Sequence, residues 1–104
     1  MPPTPPVSAG RASVTVRSDG RAVVLELTEL LDSGTGDALV AAVTAARQAN
    51  PNRVEIDLRA LRSWTQDGAA ALVRCRAICG DLADGLHYRT GRGPGRDALL
   101  AAYT

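Results

Sequence analysis

The sequence predicts an α/β fold: a mixed four- to five-stranded sheet with helices packed mainly on one face. Three observations lead there. Short segments of period-two alternation are interleaved with segments of helical periodicity after an opening hairpin, in the order β-β-α-β-α-β-α. Aromatic residues are only 3% of the chain and Phe is absent, so the core must be built from Val, Leu, Ile and Ala. Such small side chains let Ala-rich helices sit close to a sheet. Finally, 104 residues without an internal repeat allow one domain and one core.

The elements follow in order. Residues 1–12 hold four of the six Pro and are expected to be a disordered Pro-rich tail, with the folded domain at 13–104. Val14-Thr15-Val16 alternates, Ser18-Asp19-Gly20 signals a turn, and Ala22 to Leu27 returns as the second strand of a hairpin. Thr28 to Asp32 continues the chain out of that strand. Ser33-Gly34-Thr35-Gly36 is a turn whose hydroxyls can cap a helix. From Asp37 to about Gln48, Leu39, Ala42, Val43 and Ala46 recur at helical spacing, with Asp37 early and Arg47 late as the helix dipole favours. Asn50-Pro51-Asn52 ends this helix. Arg53 to Leu58 alternates as a strand, apolar at even positions and charged at odd ones. Arg59 to Gln66 is a connection carrying the only Trp, Trp64. A second helix is expected over Asp67 to Gly80, burying Ala71, Leu72, Cys75, Ile78 and Cys79, with Asp67 or Thr65 as its cap. Leu86 to Arg89 is a short strand. The loop Gly91 to Gly95 leads, with Pro94 near its start, to a last helix over Asp97 to Tyr103.

Composition excludes several classes. The net charge is +1, with twelve basic residues, all Arg, against eleven acidic ones. A nucleic-acid or anionic-membrane binder would carry a basic excess. No apolar run is long enough to span a bilayer, and the N-terminus lacks the pattern of a secretory signal. A cytoplasmic location is therefore expected, with both Cys reduced.

The candidate chemistry is sparse. Cys75 and Cys79 lie four apart on one helical face, a poor disulfide geometry and half a metal site at most, so buried structural thiols are the expectation. His87 stands alone in a strand, with no nucleophile or acid spaced to work with it. The stretch Gly91-Arg92-Gly93-Pro94-Gly95-Arg96 lies between a strand and a helix, where glycines and a helix start can hold phosphate, but it lacks the Gly-Lys-Ser/Thr of a P-loop. It reads first as a flexible loop. Asp32, Asp57 and Asp67 stand near strand ends and read as caps and turn residues before they read as a cation site. No cofactor and no catalytic residue is expected.

Two stretches carry more. Leu27 to Leu39 has Leu31-Asp32, then Thr35 and Leu39; Ile56 to Leu72 has Asp57-Leu58, Leu61, Gly68 and Leu72. In this order and spacing the chain resembles the STAS family, which includes bacterial anti-sigma-factor antagonists. The resemblance runs over about residues 13–103, with Glu29 where the family usually has Gly. It implies a protein-protein interaction module of transcriptional signalling, not an enzyme. The implied contact surface is Asp32, Ser33, Trp64, Thr65, Gln66, Asp67 and Gly68. The implied partner is an anti-sigma-factor or serine-kinase-like protein, or another STAS-binding protein, with no direct nucleic-acid contact and no membrane insertion.

One departure bears on mechanism. In antagonists of the family the first Ser of Asp-Ser-Ser-Gly accepts a phosphate; here that position is Gln66, flanked by Thr65 and Asp67. Gln cannot be phosphorylated, so the usual switch is expected to be missing. Thr65 is the possible substitute, and Ser63 is another hydroxyl nearby. Two alternatives stand beside the antagonist reading: a STAS subunit of a larger assembly, such as a signalling scaffold or lipid-transport complex, and a nucleotide- or small-ligand-binding domain using the Gly91–Gly95 loop.

Overall fold

The structure, a computed structural model, describes residues 14–104. The expected Pro-rich tail at residues 1–12 lies outside the described residues. Strands β1 (Val14–Asp19) and β2 (Ala22–Leu27) pair antiparallel, Asp19 opposite Ala22, so the hairpin loop is Gly20-Arg21. Gly20 has φ +65°, the left-handed geometry such a tight turn requires. There follow β3 (Glu29–Leu31), α1 (Ser33–Arg47), β4 (Arg53–Asp57), β5 (Leu61–Trp64), α2 (Gln66–Ile78), β6 (Leu86–Arg89) and α3 (Pro94–Ala102).

The main sheet has the order β1-β2-β4-β6. The pairs β2–β4 and β4–β6 are parallel, which makes the sheet mixed as the sequence predicts. Each parallel step needs a long crossover, and α1 and α2 supply it.

The structure corrects the reading at several elements. The segments expected as connections, Thr28–Asp32 and Arg59–Gln66, contain β3 and β5, which pair parallel in a sheet of their own, Leu31 opposite Trp64. Strands of three and four residues are too short for alternation to reveal them. Helix α1 starts at Ser33, not Asp37: the supposed turn Ser33–Gly36 is its first turn, because Asp32 already caps it. Helix α3 starts at Pro94, not Asp97, since Pro fits the first helical turn and Gly93 supplies the break before it.

One core joins the layers. Leu25, Leu27, Val54, Ile56 and Leu58 from the sheet meet Leu39, Val43 and Ala46 from α1, Leu72, Cys75 and Cys79 around α2, and Ala98 from α3. Each fully buried Leu contributes roughly 1.5–3 kcal/mol. Ile78 is half-buried rather than core, and Gly68 and Ala69 extend the buried side of α2 instead.

Alternation sends Val24, Glu55 and Asp57 to the opposite face of the sheet, yet all three are buried. Arginines neutralise the two carboxylates. Glu55 lies 2.7 Å from Arg53 Nη2 and 2.7 Å from Arg89 Nε, the second contact being an ion pair without hydrogen-bond geometry. Asp57 accepts from Arg59 Nε at 3.0 Å and Nη2 at 2.8 Å, a bidentate fork.

Candidate functional site: two helix starts on one small sheet

The parallel β3–β5 pair ends with Leu31 beside Trp64. One residue later each strand turns into a helix, so the starts of α1 and α2 stand side by side. The ladder is extended by Thr65 N–H, which donates to Leu31 C=O at 2.9 Å. This contact brings together the two stretches that the sequence keeps 33 residues apart, 32 against 65.

Asp32 caps α1 through a reciprocal box. Its carboxylate accepts from Thr35 N–H at 2.9 Å, and its own N–H donates to Thr35 Oγ1 at 2.8 Å. Thr35 Oγ1 donates to Leu30 C=O at 2.8 Å, which ties the helix back to β3. The Thr35 backbone N–H holds the Asp32 carboxyl below the usual carboxylate range. Thr65 caps α2 with its hydroxyl, accepting from Gly68 N–H at 3.1 Å. Of the two expected caps for this helix, Thr65 takes the role, and Asp67 lies exposed in the first turn.

Gly68 explains the closeness of the two starts. A Cβ there would stand 2.1 Å from Leu31 O and 2.8 Å from Asp32 Cα. Gly36 does the same between helices, where a Cβ would stand 3.0 Å from Ala71 Cβ and 3.5 Å from Gly68 Cα. Asp37 and Arg74 bridge α1 and α2 further along at 3.0 Å.

The expected surface residues thus divide. Ser33, Thr65, Gln66 and Asp67 are exposed, Asp32 and Trp64 are half-buried, and Gly68 is buried and acts only by being small. Ser63 is exposed on β5. Sequence reasoning missed Leu30, an exposed apolar residue beside the α1 start, and the packing role of Gly36. The signal was present for Gly36: glycines at 36 and 68 each sit in the first turn of a helix.

The other candidates do not join this site. Cys75 and Cys79 are buried free thiols, and burial pushes Cys75 up to about 12, far from a reactive thiolate. His87 Nε2 contacts Asp84 C=O at 2.9 Å within its turn. Asp57 is engaged by Arg59 and Asp32 by Thr35, and among the described residues no group of His, Cys, Asp or Glu is arranged to hold a metal ion. The start of α3 has no side-chain cap. A shallow cleft lined by Ser18, Arg21, Asn50 and Asn52 lies by the β1–β2 turn, away from both helix starts. Among the described residues, no helix is long and apolar enough to cross a membrane.

No protein-family profile matches the sequence, and no curated protein matches it. Solved structures do match. An anti-sigma factor antagonist from Mycobacterium paratuberculosis superposes with a TM-score of 0.68 at 22% identity, covering 88% of this chain and 93% of that one. The anti-sigma factor antagonist SpoIIAA in its unphosphorylated form gives a TM-score of 0.65 at 17% identity, covering 84% and 81%. A crystal structure of Mglu gives 0.63 at 21% identity, but this chain, matched over 78% of its length, spans only 20% of that protein. The element order, the mixed sheet and the paired helix starts place this chain, by fold, among STAS-like domains of the kind seen in anti-sigma factor antagonists.

Proposed function

We propose that the chain is a protein-binding module that works as an anti-sigma-factor antagonist does, through the adjoining starts of α1 and α2, in the cytoplasm and without catalysis. The observation that carries this reading is the Leu31–Thr65 contact with Gly68 beneath it, which builds one rigid surface from two distant stretches. Ser33, Thr65, Gln66 and Asp67 form its exposed part, with Asp32 and Trp64 at its border. Each cap fixes a helix end, so the surface is pre-organised and loses little entropy on binding.

The partner is an anti-sigma-factor or serine-kinase-like protein. Gln66 stands where the antagonists of the resembled family carry their phosphorylated Ser. An amide adds no charge, whereas a phosphate there adds roughly −1.5 to −2. The surface is therefore constitutively competent to bind. Thr65 Oγ1 is engaged in capping, which disfavours it as a substitute acceptor.

The test is pairwise calorimetry between the full chain and each anti-sigma kinase-like protein encoded in its source genome, followed by incubation with ATP and intact-mass spectrometry. Binding to one of them without phosphate incorporation is expected. Absence of binding to all of them removes the antagonist reading, and stoichiometric phosphate on Thr65 or Ser63 shows a displaced switch.

A further inference from the structure

We infer that the groove between α2 and α3 docks an acidic amphipathic helix of a partner protein. This rests on the reading of the α2 start as a protein-binding surface and extends it along the helix. Gln66, Ala70, Val73 and Ala77 recur at spacings of four, three and four, so they form one exposed line on α2. On α3, Arg96, Leu100 and Tyr103 share a flank by the same spacing. Arg76 joins the two helices, its guanidinium 6.0 Å from the centre of the Tyr103 ring.

The groove is apolar where a soluble surface is normally polar. Val73 is 40% exposed, Leu100 58% and Tyr103 48%, three of the five large exposed apolar residues among those described. The exposed Ala70 and Ala77 leave room for side chains inserted from above. An incoming helix presenting leucines at i, i+3 or i+4, and i+7 fits such a groove.

Charge selects which helix. Arg47, Arg53, Arg59, Arg74 and Arg89 each pair with a carboxylate. Among the described residues six arginines pair with none, Arg17, Arg21 and Arg62 elsewhere, and Arg76, Arg92 and Arg96 gathered at α2 and α3. Asp97 stands three residues before Leu100, so one carboxylate borders the α3 wall beside Arg96. A helix whose apolar stripe is bordered by Glu or Asp therefore meets three guanidinium groups against the one carboxylate of Asp97.

The probe is a synthetic helical peptide with leucines at i, i+3 and i+7 bordered by glutamates, compared with the same peptide carrying lysines instead. The full chain is titrated with each while backbone amide resonances are recorded. The glutamate peptide should bind, shifting amides of α2 and α3, and its affinity should fall with added salt. Arg76→Glu with Arg96→Glu should weaken it about tenfold or more, and Leu100→Glu should do so independently. These side chains are exposed, so both variants should keep the wild-type amide spectrum elsewhere. No binding of the glutamate peptide up to about 1 mM, equal binding of the lysine peptide, or shifts confined to another face would each overturn the inference. Calorimetry of Gln66 variants with a kinase-like partner is read separately, so a peptide that fails to bind leaves the proposed function standing.

Discussion

Two strand-to-helix junctions of this domain use the same trick and differ in what holds them. At the end of β3, Gly68 of α2 lies against Leu31, with a Cβ excluded by a carbonyl oxygen at 2.1 Å. At the end of β4, Gly95 of α3 lies against Leu58, with a Cβ excluded by a carbonyl oxygen at 2.3 Å. The first junction is then closed by hydrogen-bonded caps, Asp32 with Thr35 and Thr65 with Gly68. The second has no side-chain cap, and its loop turns on Gly91 and Gly93 with φ of +61° and +118°. It is held instead by the Asp57–Arg59 fork, with Arg59 Cγ packed where a Gly91 Cβ would meet it at 3.5 Å. Caps spend polar side chains on fixing backbone and leave their neighbours exposed in a set geometry. That is why, under the proposed function, the first junction is the better candidate for a binding surface.

The largest effects should come from filling either glycine. Gly68→Ala and Gly95→Ala both drive a methyl group into backbone that cannot rotate away, and each should cost about 3 kcal/mol or more. Urea unfolding measures this. The two should differ in a second readout: a folded remnant of Gly68→Ala should lose partner binding, while Gly95→Ala should keep it. Equal binding by both would erase the distinction between the junctions. Gly36→Ala, whose tightest contact is a methyl group at 3.0 Å with backbone no nearer than 3.5 Å, should be milder.

Asp57→Asn comes next, because it breaks the fork at the second junction alone. Hydrogen bonds to a charged group are worth about 1.5–3 kcal/mol, and the exposed Arg59 left behind regains water, which places the loss toward the lower end. The Arg59 guanidinium holds the Asp57 carboxyl below its usual value. A depressed carboxylate contributes stability that is present above its unfolded-state pKa and is lost as pH falls through the folded one. Wild type should therefore lose stability below about pH 4, and Asp57→Asn should show a shallower acid decline. An unchanged acid slope would mean that the fork does not hold the junction. Thr65→Ala tests the first junction in the same way, with an expected loss of about 1 kcal/mol, and Thr65→Ser should retain the cap.

What the sequence revealed and concealed follows the same division. The main sheet, both crossover helices and most of their buried faces were legible, because Val54-Ile56-Leu58 and Leu39-Val43-Ala46 repeat often enough to fix a period. Strands β3 and β5 were not, because Glu29–Leu31 and Leu61–Trp64 hold too few residues for a period and are defined by each other. The residues of the two adjoining helix starts were marked by resemblance, but their union was not. Nothing local to Leu31 says that its carbonyl receives Thr65 N–H and excludes a side chain at 68. The burial of Glu55 and Asp57 was equally hidden, since alternation gives a face but not what neutralises the charges on it.

The smallest expected effect is the most diagnostic for the binding surface. Asp67 is exposed one residue beyond Gln66 and could imitate a phosphate at the α2 start. A carboxylate carries less charge than a phosphate and fewer acceptor oxygens, and its place in the first turn is favourable for the helix dipole alone. Thr65, not Asp67, makes the cap, so removing the carboxylate leaves the helix start intact. Under the proposed function, Asp67→Ser should thus leave partner affinity within about twofold of wild type, whereas Gln66→Asp, which puts charge where that reading places the phosphosite, should weaken it clearly. Calorimetry on the two variants side by side reads both. If Asp67→Ser creates binding where the wild type shows none, the domain is held in a permanently blocked form by its own carboxylate, and the capped junction is a locked surface instead of an open one.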